Sequence, residues 1–97
     1  MPELLSVKPS HIAGKKLDAT FLSDTGRKKV VPFGATGMDD YTKTHDTAQR
    51  ARYRERHQKD LHTGDPTRPG FLSYYLLWGA APSLRANLAS YRSRFNV

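Results

Sequence analysis

The segment PGFLSYYLLWG, Pro69–Gly79, restricts the possible folds of this chain more than any other feature. Seven of its eleven residues are large and apolar, and they would point in nearly every direction around a helix. Such a helix needs burial by other elements, so we predict that residues 69–79 form a helix at the centre of the fold. Pro69 suits the first turn of this helix, and Gly79 suits its end.

A second predicted helix covers residues 82–95. Apolar side chains recur there at the spacing of one helical face and form a continuous stripe, which consists of Leu84, Leu88, Tyr91 and Phe95. Three arginines lie off the stripe: Arg85, Arg92 and Arg94. We expect Tyr91 and Phe95 to belong to the core rather than to a base-stacking surface.

A third predicted helix, residues 46–62, has a thin apolar stripe and a mostly polar circumference. Asp46 is a good N-cap residue with a glutamine three positions later, and Gly64 is suited to end the helix. The stripe consists of Tyr53, His57 and Leu61. We therefore expect the helix to pack along one narrow edge, with His57 as a half-buried packing residue rather than a ligand.

The first 40 residues are predicted to be extended. Lys16–Leu22 alternates at strand period, Lys29–Phe33 is rich in β-formers, and a turn separates them. Pro32 cannot donate to a ladder, which places its strand at an edge. The segment SVKPS adds a possible third short strand, and residues 33–46 are predicted to be a loop.

Together these elements predict one α+β domain over residues 1–97, in which a small antiparallel hairpin or meander is followed by three helices. Sixteen Lys and Arg residues against nine Asp and Glu give a net charge of +7, which favours anionic partners. Cysteine is absent, and we find neither a secretory signal nor an apolar run of membrane-spanning length. We therefore expect an intracellular protein in a reducing compartment, without a membrane partner.

The candidate functional residues are cations of the basic segment RARYRERHQK, Arg50–Lys59. Arg50 and Arg54 form one row at helical spacing, and a second row consists of Arg52, Arg56 and Lys59. Arginine forks suit phosphate and carboxylate equally well. The alternative interpretation is a solvated helix face that Glu55 and Asp60 partly balance. Arg85 and Arg92, seven residues apart, are further candidates.

Other motifs have weaker functional interpretations. GATG, Gly34–Gly37, has the shape of a phosphate-clamping loop, but glycines that allow backbone turns explain it better. Four residues could suggest a metal or nuclease-like cluster, namely Asp39, Asp40, His45 and Asp46. Asp46 is better explained as an N-cap and the adjacent aspartates as loop residues. With no catalytic spacing present, we expect no enzyme activity, cofactor, metal or small-molecule substrate.

Four segments resemble a known family: FGATGMDDYTKTHD, RYRERH, GFLSYYLLWG and PSLRANLASYRSRF. The resemblance extends over residues 15–95 and is to short, basic, uncharacterised proteins encoded by large DNA viruses of algae and protists. It implies a viral or virus-related origin, in the virion or in the host nucleus or cytoplasm. It implies no activity, because that family has none assigned.

Two classes of function remain open from the sequence. One is a non-enzymatic protein that grips the nucleic-acid backbone, DNA or RNA, through the arginine-rich helix. The other is a structural or adaptor subunit of a large assembly such as a virion. Such a subunit would dock through aromatic surface and use its arginines against an acidic protein surface.

Overall fold

The computed structural model describes residues 2–97 and confirms the α+β architecture; Met1 of the predicted domain lies outside the described residues. Three strands come first: β1 (Glu3–Pro9), β2 (Lys15–Leu22) and β3 (Lys28–Ala35). The helices follow in the order α1 (Tyr41–Thr44), α2 (Thr47–His57), α3 (Pro69–Leu72) and α4 (Leu84–Phe95). A 3₁₀ helix, Gln58–Thr63, continues α2, and a π-helical turn, Ser73–Leu77, continues α3.

The strands form an antiparallel meander in the order β1-β2-β3. Pro32 therefore lies on an edge strand, as its missing N–H predicts. The additional strand that the sequence suggests at SVKPS, Ser6–Ser10, is β1, which begins earlier, at Glu3, and ends at Pro9. Side chains of alternate residues cover one face and are buried under the helices: Ala19, Phe21, Val31 and Phe33.

The segment predicted as a central helix is buried as expected but is not one regular α-helix. In the π-helical turn, the N–H of Trp78 donates to Ser73 O at 3.1 Å instead of to Tyr74 O. The side chain of Arg54 donates to Tyr74 O in its place, at 3.2 Å. An inserted side chain of this kind is a known cause of local departure from α-helical bonding, and periodicity in the sequence does not reveal it.

The helix predicted over residues 46–62 also changes type along its length. Asp46 caps α2 as predicted, because its Oδ1 accepts from the N–H groups of Ala48 and Gln49. The α-helix ends at His57, and the chain continues as the 3₁₀ helix to Thr63 before Gly64 takes a left-handed conformation. One apolar stripe is compatible with either helix over so few turns, so the sequence does not distinguish them.

Two boundaries differ further from expectation. The helix predicted over residues 82–95 begins at Leu84, because Ser83 is its N-cap and accepts from Ala86 N at 3.2 Å. The loop predicted over residues 33–46 contains the short helix α1. Asp40, predicted to be a loop residue, caps α1 by accepting from Thr42 N at 2.9 Å. A four-residue helix has too few positions to show a period.

Asn87, on α4, fixes the junction between the π-helical turn and α4. Its amide nitrogen donates to Leu76 O and Ala81 O at 2.9 and 2.8 Å, and its amide oxygen accepts from Ala81 N at 3.0 Å. Gly79 lies directly against this amide. A larger residue would not fit, because a Cβ at this position would lie 2.8 Å from the Asn87 side chain and 2.1 Å from Tyr75 O. No helix within residues 2–97 is both long enough and apolar enough to cross a membrane.

Candidate anion-binding surface

An aromatic stack attaches α2 to the core. The Tyr53 ring lies between two others: its centroid is 4.4 Å from that of Trp78, with planes 8° apart, and 4.2 Å from that of His57. Trp78 is buried, whereas His57 is partly exposed. Burial, followed by the Asp60 carboxylate, raises the pKa of Tyr53 to about 12. Tyr53 and His57 therefore anchor the helix, as the thin stripe predicts.

Two arginines of α2 point toward the core rather than outward. Arg50 Nε donates to Gly79 O at 2.7 Å, and Arg54 NH1 donates to Trp78 O at 2.8 Å as well as to Tyr74 O. The guanidinium carbon of Arg54 also lies 4.0 Å from the centroid of the Tyr74 ring. This row, which the sequence offers as a candidate for binding phosphate or carboxylate, is thus half-buried and has a structural role.

The two candidates on α4 have different surroundings. Arg92 donates from Nε and NH2 to Leu4 O at 3.2 and 3.0 Å, and from NH2 to Leu5 O at 3.1 Å. It therefore joins α4 to β1, near the bond from Leu4 N to Val97 O. Arg85 is exposed and makes no hydrogen bond or ion pair with the described residues.

Arg52, Arg56 and Lys59 form the outer cationic row, and all three are exposed. Arg52 and Arg56 are one turn apart on α2, whereas Lys59 lies in the 3₁₀ helix, so the α-helical spacing predicted for Lys59 is not kept. Within residues 2–97 none of the three is ion-paired. Asp60, one of the expected balancing acids, is instead bonded to His57 Nδ1 at 3.0 Å.

A cleft of about 480 Å³ opens beside the outer cationic row. Arg56 belongs to the row and also lines the cleft, together with the aromatic stack and the loop after β3. The end of β3 lies close to the π-helical turn because Gly34, at φ +75°, has no side chain, and a Cβ there would lie 2.8 Å from Leu77 Cδ1. Lys16 and Asp40 form an ion pair of 2.5 Å in the cleft wall.

The acidic residues near this cleft have structural partners. Asp39 lies 3.8 Å from Lys43 Nζ, Asp40 pairs with Lys16 and caps α1, and Asp46 caps α2. His45 ends α1 in a left-handed conformation. In the described part of the chain, no group of three or more His, Asp or Glu side chains is arranged to hold a metal ion.

Sequence reasoning misses several residues of this surface. The sequence identifies Lys16 only as a strand residue, because its partner Asp40 lies 24 positions away along the chain. Arg94 and Ser90, on α4, face Arg50 and Arg54 across a small second cavity. Arg94 is recognisable as a cation off the apolar stripe, but nothing local indicates which helix it faces.

The fold and surface define a small α+β domain in which a basic helix is held through Tyr53 against Trp78, at the end of the π-helical turn that packs on the three-stranded meander. A family model described as "Family of unknown function (DUF5754)" matches residues 5–57, just over half of the chain. The chain belongs to this family. The match covers the sheet except for the first two residues of β1, together with α1 and α2. It includes Arg52 and Arg56 and ends before Lys59 and the π-helical turn. Neither the curated proteins nor the solved structures contain a match to the chain.

Proposed function

We propose that this protein binds the nucleic-acid backbone without catalysis, through the outer cationic row Arg52, Arg56 and Lys59. The observation that carries the proposal is that these three cations are exposed and have no ion-pair partner among residues 2–97. Cations that are already paired must give up a partner before they bind phosphate. The outer row has no such cost, and binding releases the counterions of the nucleic acid.

The anchoring of α2 supports the same proposal. The helix is fixed by the Tyr53–Trp78 stack and by the carbonyl contacts of Arg50 and Arg54. A cationic row on a fixed element loses less conformational freedom on binding than a row on a mobile one. Arg50, Arg54 and Arg92, which were candidates from the sequence, therefore contribute to this proposal mainly by holding the surface in place.

The cleft supports a preference for single strands. Arg56 is common to the row and the cleft, so a phosphate on Arg56 places the neighbouring nucleotide beside the His57 end of the aromatic stack. Unpaired bases can stack on aromatic side chains, whereas bases within a duplex are not available for this. Trp78 is the only tryptophan of the chain and lines the cleft, so its fluorescence can report occupancy.

The adaptor alternative receives less support. It relies on aromatic surface, but Phe71, Tyr74 and Trp78 are buried. The exposed large apolar side chains are dispersed instead, at Ile12, Val30 and Met38. An origin in a large DNA virus, and a location inside the virion or the infected cell, remain part of the proposal and rest on the sequence resemblance alone.

The test is fluorescence anisotropy with labelled single-stranded DNA, single-stranded RNA and duplex DNA. The variant Arg52→Gln/Arg56→Gln/Lys59→Gln should lose most of the affinity for single strands. The control Lys8→Gln/Lys15→Gln/Lys28→Gln removes the same charge from the sheet and should bind almost as the wild type does. Equal losses in both triple variants would show attraction by net charge alone and would contradict a specific surface. No binding by the wild type, together with self-association, would favour the adaptor.

A further inference from the structure

The second cavity brings together arginines from two helices. It has a volume of about 180 Å³ and lies between α2, the π-helical turn and α4. Arg50 and Arg54 line it from α2, and Arg94 and Ser90 line it from α4. This volume is below the roughly 300–1,000 Å³ of typical sites for drug-sized ligands, so the cavity suits an ion or a single small group.

The three guanidinium charges have no counter-charge in the described chain. Arg50 and Arg54 donate to backbone carbonyls, which are neutral, and no carboxylate of residues 2–97 forms an ion pair with Arg50, Arg54 or Arg94. Partial burial lowers the pKa of the Arg54 guanidinium, and the neighbouring charges of Arg50 and Arg94 lower it further. Arg50 and Arg54 are half-buried, and their like charges are costly there unless an anion compensates them.

Aromatic faces offset part of this cost. The guanidinium carbon of Arg94 lies 5.0 Å from the centroid of the Tyr75 ring, and that of Arg54 lies 5.7 Å from the same centroid. Such contacts orient a guanidinium without occupying its N–H groups. Each arginine has five N–H donors, and the carbonyl contacts use only Nε of Arg50 and NH1 of Arg54. Most of the donors therefore stay available for an oxyanion.

From this geometry we infer that Arg50, Arg54 and Arg94 form a site for one phosphate dianion, with Ser90 as an additional hydroxyl donor. The ligand is inorganic phosphate or the phosphate of a small monoester, which carries the same doubly charged group. Guanidinium forks match the oxygens of phosphate, and three of them around a small cavity provide more positive charge than a singly charged phosphodiester needs. This site is separate from the outer cationic row and does not depend on nucleic-acid binding.

Isothermal titration calorimetry with inorganic phosphate, at constant ionic strength in chloride buffer, tests the site. Arg94→Ala is the informative variant, because Arg94 is exposed and donates no hydrogen bond to the described chain. Arg85→Ala is its matched control, nine residues away and on the opposite side of the same helix. Wild type and Arg85→Ala should bind phosphate at one site with the same affinity, and Arg94→Ala should bind at least tenfold more weakly.

Thermal unfolding gives a second readout. Phosphate at ten times its dissociation constant should raise the Tm of wild type and Arg85→Ala by at least about 4 °C, and that of Arg94→Ala by much less. Titration with adenosine 5′-monophosphate distinguishes inorganic phosphate from a phosphate monoester as the ligand. The nucleotide should bind as tightly as inorganic phosphate only if the cavity admits an ester. No saturable heat with millimolar phosphate, or equal Tm shifts in all three proteins, would overturn the proposal. Loss of phosphate binding in Arg94→Ala without loss of oligonucleotide affinity would confirm that the two sites are separate.

Discussion

The phenol ring of Tyr53 lies flat against the indole of Trp78, with centroids 4.4 Å apart and planes 8° apart. This contact joins α2 to the end of the π-helical turn, and the two residues lie 25 positions apart along the chain. Aromatic pairs contribute beyond their buried area. The same helix carries Arg52 and Arg56 of the outer cationic row on its exposed side. This pair of rings therefore contributes both to the stability of the core and to the position of these two arginines.

Removing the ring of Tyr53 should destabilise the protein strongly. We expect Tyr53→Ala to lower the free energy of unfolding by about 2–4 kcal/mol, because it leaves a gap beside Trp78. Tyr53→Phe keeps the stack and should cost no more than about 1.5 kcal/mol. Urea unfolding followed by Trp78 fluorescence measures both values. A Tyr53→Ala variant as stable as Tyr53→Phe would show that the stack contributes little.

As the pH is raised, two tyrosines should lose their protons only at a higher pH than an ordinary tyrosine does. Burial raises the pKa of Tyr53 to about 12 and raises that of Tyr91 as well. Their folded pKa values exceed the ordinary value of about 10, so they contribute stability that is complete below pH 10 and is lost as the pH rises above it. Ultraviolet titration of tyrosinate should show two of the five tyrosines ionising last, and Tyr53→Phe should remove one of these transitions.

Acid should weaken the β1–β2 connection through Asp18. Burial alone would raise the pKa of this carboxyl, but hydrogen bonds from His11 and Ser10 prevail and lower it to about 2. A depressed pKa in the folded state gives stability that is present above about pH 4 and is lost as the pH falls toward 2. Asp18→Asn should have a lower free energy of unfolding at neutral pH than the wild type. Its free energy of unfolding should also fall less steeply as the pH is lowered from 4 to 2.

The control for this prediction is Asp39→Asn, which removes an exposed carboxyl in the loop before α1. Urea titration at each pH gives the free energy of unfolding. Between pH 4 and pH 2 this free energy should fall as steeply in Asp39→Asn as in the wild type. An unchanged decline in Asp18→Asn would mean that other carboxyls cause the acid sensitivity.

Arg92 and Arg85, seven residues apart on α4, should differ in their effect on stability. Arg92→Ala removes three hydrogen bonds to the carbonyls of Leu4 and Leu5, so we expect a loss of about 1–3 kcal/mol. Arg85→Ala should change the free energy of unfolding by less than about 0.5 kcal/mol. Equal effects in chemical unfolding would contradict the assignment of Arg92 as a link between α4 and β1.

Much of the fold follows from local sequence patterns. The alternation in Lys16–Leu22, the capping residue Asp46 and the stripe ending at Phe95 each predict an element that the structure contains. The third strand, uncertain from SVKPS alone, is stabilised by pairing with β2, which is a tertiary contact. The helix α1 and the π-helical turn escape prediction because they depend on Asp40 as a cap and on Arg54 as an inserted donor.

The candidate surface is less predictable than the fold. Spacing correctly separates Arg50 and Arg54 from the outer cationic row, but it does not indicate which row faces inward. Arginine is long enough to reach a carbonyl across a helix interface, and Gly79 O is 29 positions away from Arg50. The three-arginine cavity likewise exists only because α4 returns beside α2, which no local pattern encodes.

The salt dependence of single-stranded DNA binding tests the central claim most directly. Each phosphate neutralised by the protein contributes about 0.7 to the log–log slope for a single strand. The slope for Arg52→Gln/Arg56→Gln/Lys59→Gln should therefore be shallower than that of the wild type by about 2, whereas Lys8→Gln/Lys15→Gln/Lys28→Gln should keep the wild-type slope. A wild-type slope near zero, or the same slope in all three proteins, would contradict phosphate binding by the outer cationic row.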